Sequence, residues 1–296
     1  MKEMRWSPYP TNPTDWVTSE QISNGIEFVW LGQAGFIFKS NGMSVGIDPY
    51  LSDSLGEKYR DAFFPHRRMM DPPCDPATLR NLDYVLSTHG HTDHMDRGTL
   101  GIVYDTDGHT PLFVCPRAEV EKAVDRGVPY ERMVAMDAGE SWSSIGGDGE
   151  NLHIIAIASA HEELAVDSHG NHLFLGYVIE IDGIRLYHSG DCVPYEGLVE
   201  QLLKLDIDIA FLPVNGRDTF RAEHGVPGNF TLEEALELVG KASIPYLVPH
   251  HFGLFEFNTI DPVEIRRRIP DNGPMVVIPE LSTGFRFFQE VMCDAH

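Results

Sequence analysis

Apolar residues along this chain gather in short runs bounded by Gly, Asn, Asp and Pro, more often than in long helical stripes. After a polar, proline-containing lead-in over about residues 1–25, three runs follow closely: "IEFVWLG" from Ile26, "GFIFKS" from Gly35 and "MSVGID" from Met43. Their length and turn-type boundaries predict three consecutive strands. "LDYVLST" from Leu82 predicts a buried strand that runs into a polar cluster, and "PLFVC" another strand. A helix is expected from Arg117 to about Arg126, closed by Gly127.

The second half repeats the style. "LHIIAIASAH" predicts a strand ending at His161. "LFLGYVIEIDGIRLYHSGD" predicts a hairpin, because Asp182-Gly183 supplies the two positive-φ residues of a tight primed turn. A helix over Tyr195–Lys204 and the strand "DIAFLPV" come next. Thr231 and Glu234 have capping-box spacing, and Leu232, Ala235, Leu236 and Val239 fall on one helical face. "PYLVPHH" predicts a buried strand, and the helix "PVEIRRRI" and strand "GFRFF" close the pattern. Strands thus come in two runs with helices attached, without a linker or a short-period repeat. The class is α/β (α+β), two sheets face to face with helices outside, in a single domain over residues 1–296.

Composition narrows the partners. Lys plus Arg number 22 against 45 Asp plus Glu, a net charge of −23. Such a surface repels phosphate backbones and anionic lipid, which argues against nucleic acid and membrane partners and for a small-molecule substrate. A small anion stays eligible, since local cations override a global field. Oligomeric state is not readable, which leaves a homo-oligomer open. The start of the chain lacks a secretory apolar core, and Cys74, Cys115, Cys192 and Cys293 form no CxxC pair. Free thiols in a cytoplasmic protein are expected.

The strand ends carry the chemistry. The strand from Leu82 ends in "HGHTDH", with His89, His91, Asp93 and His94; others end at His161, at Asp191, and at His250 and His251. A polar surface loop or a hydrogen-bonded core cluster could hold some of these residues. So many donors at fixed spacing behind a buried strand favour a metal site, because neutral imidazole and carboxylate suit zinc and neighbouring ions. His89 and His91 can flank one ion while Asp93 and His94 reach a second, with Asp191 a candidate bridge. Of the final pair, His251 is the preferred ligand and His250 a supporting residue. His153, His169, His172, His188 and His224 read as structural, and His66 and His109 as solvated.

At these residues the chain resembles the metallo-β-lactamase superfamily: HxHxDH as "HGHTDH", then "SAH", "HSGD" and "VPHH", with Asp48 in the upstream "GIDP". The resemblance spans about Ile26 to about Phe288 and implies a four-layer αββα sandwich. "WLGQAGFIF", "LYHSGD", "VPHHF" and an inserted segment at about residues 54–81 are similar to the L-ascorbate-6-phosphate lactonase branch. By this resemblance His89, His91 and His161 hold a first divalent ion. Asp93, His94 and His251 hold a second, Asp191 lies between them, and Asp48 supports the loop. Zinc is the first expectation; manganese or iron(II), and a single filled site, fit the same donors. Related redox enzymes carry a glutamate where this chain has His91, which implies hydrolysis here.

The expected activity is hydrolysis by a metal-bound hydroxide, with Asp93 as the catalytic proton carrier, on a small anionic metabolite such as a (phosphorylated) sugar lactone. A phosphodiesterase or phospholipase D-like hydrolase is the alternative with the same chemistry. A non-catalytic metal-bound sensor or scaffold is the alternative of another class. Arg217 and Arg221, in the loop after a strand, are candidate anchors for a substrate anion. The inserted "PHRRMMDPPC" is expected to form a lid or an oligomer contact.

Overall fold

The computed structural model describes residues 4–20, 25–145 and 151–289. Seven strands appear first: β1 (Met4–Pro10), β2 (Gly25–Gly32), β3 (Gly35–Ser40), β4 (Met43–Ile47), β5 (Tyr84–Leu86), β6 (Leu112–Pro116) and β7 (Met133–Met136). The next seven are β8 (Ser141–Ile145), β9 (Asn151–Ala158), β10 (Leu175–Ile181), β11 (Ile184–His188), β12 (Ile209–Pro213), β13 (Tyr246–His250) and β14 (Met275–Val276). The last strand, β15 (Thr283–Gln289), returns to the first group. One eight-stranded sheet has the order β1-β15-β2-β3-β4-β5-β6-β7, and a seven-stranded sheet runs β14-β13-β12-β11-β10-β9-β8. Both are mixed and pack face to face, as expected for the αββα sandwich.

The solid apolar character of "IEFVWLG" follows from burial on two sides. Ile26, Phe28 and Trp30 face the second sheet, whereas Val29 and Leu31 face the outer helices. Phe211 of β12 locks the sheets together: its ring lies 5.3 Å from Phe28, 4.9 Å from Phe36 and 5.0 Å from Phe38, each edge to face. Glu27, buried on the opposite side of β2, accepts from Tyr9 (3.0 Å) and Arg286 (2.6 Å).

The proline-containing lead-in is built into the fold. β1 pairs along its length with β15, and Asn12 caps a short helix, α1 (Pro13–Val17), that buries Trp16 and Val17. Fully buried Lys39 donates to the carbonyls of Trp16 (2.6 Å) and Ser19 (2.9 Å), fixing this segment to β3. Further helices are α2 (Ser54–Lys58), α3 (Arg97–Tyr104), α4 (Val120–Asp125), α5 (Leu198–Leu205), α6 (Thr219–Glu223), α7 (Leu232–Lys241) and α8 (Pro262–Arg268). The helix expected from Arg117 is a 3₁₀ turn, Arg117–Glu119, leading into α4. The Thr231–Glu234 capping box forms on α7, where Leu238 is more deeply buried than the expected Leu236. Cys74, Cys115 and Cys192 are free and buried, and Cys293 lies outside the described residues. No helix among the described residues is long and apolar enough to cross a membrane.

Topology places the chemistry. β4, β5 and β6 are parallel, as are β11, β12 and β13, and β2 and β9 run with their respective groups. The C-terminal ends of β2, β4, β5, β9, β11 and β13 therefore share one rim of the sandwich. Ligands commonly bind at carboxyl strand ends of this kind.

Candidate metal centre

The loop after β5 is held in shape before any ion is considered. The Ser87 hydroxyl donates to His94 O (2.6 Å), and the backbone N–H of Met95 donates to His91 O (2.9 Å). Arg126 donates to the carbonyls of Gly90 (2.8 Å), His91 (3.2 Å) and Met95. Asp96 ends the loop by capping α3, accepting from Gly98 N and Thr99 N (both 3.1 Å). The imidazoles of this tight turn thus project from a braced backbone.

Asp48, at the end of β4, orients two of them. Its carboxylate accepts from Thr88 N (2.8 Å) and Thr88 Oγ1 (2.7 Å), and from His94 Nδ1 (2.7 Å). His89 Nδ1 lies 3.1 Å from Thr88 Oγ1, whose proton is already directed to Asp48. This network assigns Nδ1–H to both histidines and turns each Nε2 toward the rim. Gly190, in "HSGD", packs against the same threonine: a Cβ there would sit 2.7 Å from Thr88 Cβ, and its φ is +61°. Ser159 ties the β9 end to this loop by donating to Ser189 O and Asp191 O (both 2.9 Å).

The remaining donors converge as two groups. One atom each from His89, His91, His161 and Asp191 lies within 4.8 Å of the others, and so do atoms of Asp93, His94 and His251. Asp191 links the groups: its carboxylate is 3.2 Å from His94 Nε2, 3.3 Å from His251 Nε2 and 3.7 Å from His161 Nε2. His89 Nε2, His94 Nε2 and Asp191 Oδ1 are buried and lack a well-directed hydrogen bond among the described residues. Buried polar atoms that converge unpaired fit a cation in each group, since an ion would satisfy them together.

Electrostatics point the same way. Burial pushes the His89 imidazole well below its ordinary value and His161 down to about 4, so both stay neutral donors. Burial also opposes charge on His94, but Asp191, Asp48 and Asp93 hold it well above its ordinary value. His251 is likewise raised, to about 9, by Asp191 and Asp93 against the burial effect. Asp191 is held well below the usual carboxylate range by His251 and His94, although burial opposes this. Without an ion, protons on two histidines supply the positive charge that the carboxylates require.

Above the donors opens a cavity of about 450 Å³, with His91, Asp93, His161, Asp191 and His251 on its floor. Residues of the inserted segment, among them Lys58, Tyr59, Phe63, Phe64 and His66, form one wall. His224, Val226 and Pro227 continue this wall, with His224 stacked on Phe63.

A model described as the beta-lactamase superfamily domain matches residues 44–252, which include every donor above. The chain belongs to the β-lactamase superfamily. Among its relatives is a metal-dependent hydrolase of Myxococcus xanthus, 27% identical over 86% of this chain and 81% of the relative. Another is a probable L-ascorbate-6-phosphate lactonase of Escherichia fergusonii, 25% identical over 84% of this chain and 76% of the relative. An isothiocyanate hydrolase structure from Delia radicum gut bacteria superimposes with a TM-score of 0.65 at 20% identity, covering 87% of this chain and 98% of that one. These neighbours agree on the superfamily fold and differ in substrate.

Superfamily membership leaves the finer assignments to the residues themselves, and several expectations change. Arg217 donates to both Glu234 oxygens (2.6 Å each), and Arg221 to Asp218 (2.6 Å) and Asn258 (2.6 Å). Neither lines the cavity; Lys58, Lys122 and Arg126 are the cations that do. His66, expected to be solvated, and His224, expected to be structural, both reach the cavity wall. His109 is exposed, as expected, with Nε2 at 3.1 Å from Leu82 O. His250 turns away from the cluster and stacks on His188, 4.7 Å between ring centres. Gln33, in the β2–β3 turn, was not expected at the site. Its side-chain Nε2 donates to Asp93 (2.9 Å) and lies 3.0 Å from His251 Nε2, while its backbone carbonyl accepts from His251 N (3.0 Å). Only its place between two strands whose ends face the rim could have signalled this.

Proposed function

We propose that this protein is a metal-dependent hydrolase that opens an ester bond, as in a lactone, of a small anionic metabolite at a two-ion centre. The supporting observation is the double donor set joined by Asp191, with unpaired buried atoms aimed between its members. His89, His91 and His161 would hold one divalent ion. Asp93, His94 and His251 would hold the other, with Asp191 shared. The nitrogen-rich set suits zinc first, and manganese or iron(II) as well.

Ions bound there make water available as a nucleophile near neutral pH and polarise the carbonyl oxygen. The chain supplies orientation and proton handling. Asp93 is part-exposed at the cavity floor, and Gln33 fixes one of its oxygens. Its other oxygen can take a proton from the attacking water as the new C–O bond forms. It can return that proton to the leaving oxygen as the old C–O bond breaks. Asp48 and Thr88 keep His94 and His89 from rotating.

The test is a panel of lactones, carboxylic esters and phosphodiesters on zinc- and manganese-loaded protein, with Asp93→Asn as control. Lactone or ester turnover that falls by about a hundredfold or more in the variant supports the reading. Turnover of bis-p-nitrophenyl phosphate alone contradicts it in favour of a phosphodiesterase. Tight metal with no turnover in the whole panel contradicts it in favour of a sensor.

A further inference from the structure

The cavity has two chemically unlike halves. Its floor is the donor set. Its upper wall is built of rings from the segment after α2 and from the turn after α6. Phe63 stacks on His224 (4.2 Å), Phe64 on Phe257 (4.8 Å) and Tyr59 on His66 (4.4 Å). His66 also meets Phe255 and Phe257 edge to face, and Phe64 O accepts from its Nδ1 (2.9 Å). Burial lowers the His66 pKa, so this ring enters the wall as a neutral, flat surface.

Phe63 is 67% exposed although it stands at a cavity mouth. A phenyl ring held open to water beside other rings gains when a ligand covers it. The hydrogen-bonding groups of this upper half are mostly carried on rings, at Tyr59, His66 and His224. Asn258 lines it, but its Oδ1 already accepts from Asn215 (2.8 Å) and Arg221 (2.6 Å). A polyhydroxylated ligand would press most of its hydroxyls against ring faces, which costs affinity for each one left without a partner.

The lining cations differ as well. Arg126 is given to loop carbonyls, and Lys122 pairs with Glu119 at 2.6 Å. Lys58 has no carboxylate within ion-pair distance among the described residues; its ammonium lies 4.8 Å from the centre of the Tyr59 ring. It is the cation left available to a ligand.

Resting on the hydrolase reading above, we propose that the part of the substrate remote from the scissile bond is a flat apolar ring. It seats against Phe63, Phe64 and His66, and its anionic group reaches Lys58. The substrate class is thus an aromatic, carboxylate- or phosphate-bearing ester or lactone, in place of a sugar derivative.

Calorimetric binding to zinc-loaded protein tests this apart from turnover, with 2-naphthoate, 2-naphthol and D-gluconate as probes. The expected result is that 2-naphthoate binds at least about tenfold more tightly than gluconate. Phe63→Ala should weaken it roughly tenfold and Phe63→Trp restore it. Lys58→Met should weaken 2-naphthoate and leave 2-naphthol unchanged. Gluconate binding as tightly as 2-naphthoate overturns the proposal, as does 2-naphthoate binding that ignores both Phe63→Ala and Lys58→Met. Ring binding with this mutational pattern but no turnover of any ester or lactone supports the ring wall and overturns the hydrolase reading alone.

Discussion

Asp48 Oδ2 stands 2.7 Å from His94 Nδ1, and both side chains are completely buried. The contact joins the end of β4 to the loop after β5 and points His94 Nε2 at Asp191. Asp48 has φ +45°, which Asn tolerates nearly as well, so Asp48→Asn isolates the loss of the acceptor charge. The expected outcome is a roughly 10- to 100-fold loss of metal affinity, read by chelator competition, with little change in far-ultraviolet circular dichroism. Unchanged affinity would show that His94 needs no orienting partner.

Gln33 provides a second, independent check on the same half of the site. Gln33→Leu keeps the side-chain bulk but removes the donor from Asp93 and the amide beside His251. Loss of one ion per protein at limiting metal, with the other retained, is expected in metal analysis. Equal loss of both ions would place Gln33 in general folding instead.

Gly190→Ala should harm both stability and the site. The new methyl must take a positive-φ position and displace Thr88, which Asp48 holds. A cost of roughly 1–3 kcal/mol in denaturant unfolding of the metal-free protein is expected, with weakened metal uptake. A methyl accommodated without either effect would mean that the Thr88 bracket is slack.

Proton release gives the pH dependence. His251 is raised to about 9 and His94 well above its ordinary value, so both carry an extra proton at pH 7 when no ion is bound. In the metal-free protein the stabilisation from these raised groups is present below the ordinary histidine pKa and is lost as pH rises through about 9. An incoming cation must displace the same protons, so metal affinity should climb with pH until that point. Calorimetry at pH 7 in buffers of different ionisation enthalpy should show release of about two protons per protein. Release near zero would contradict the charge assignment.

How far the sequence alone reaches depends on whether partners are local. HxHxDH was readable because the turn that gathers its donors is itself a local structure, and His161, Asp191 and His251 because each directly follows an apolar strand run. The choice of His251 over His250 rests on backbone shape: His251 has φ +61° and directs its ring into the cluster, while His250 faces the His188 stack. Local pattern fails where the deciding partner is distant or charged. The lead-in's pairing with β15 joins opposite ends of the chain. Arg217 and Arg221 read as available in sequence, but Glu234 and Asp218 hold them. The ring wall stayed hidden because Phe63 and His224 meet only after the inserted segment folds against the α6 turn.

The most direct test of the central claim is anomalous X-ray scattering at the zinc edge from crystals of zinc-loaded protein. Two peaks are predicted, about 3.5–4 Å apart. One should lie among His89, His91 and His161 and the other among Asp93, His94 and His251, with Asp191 touching both. A single peak away from these residues, or none at full zinc loading, would contradict the account.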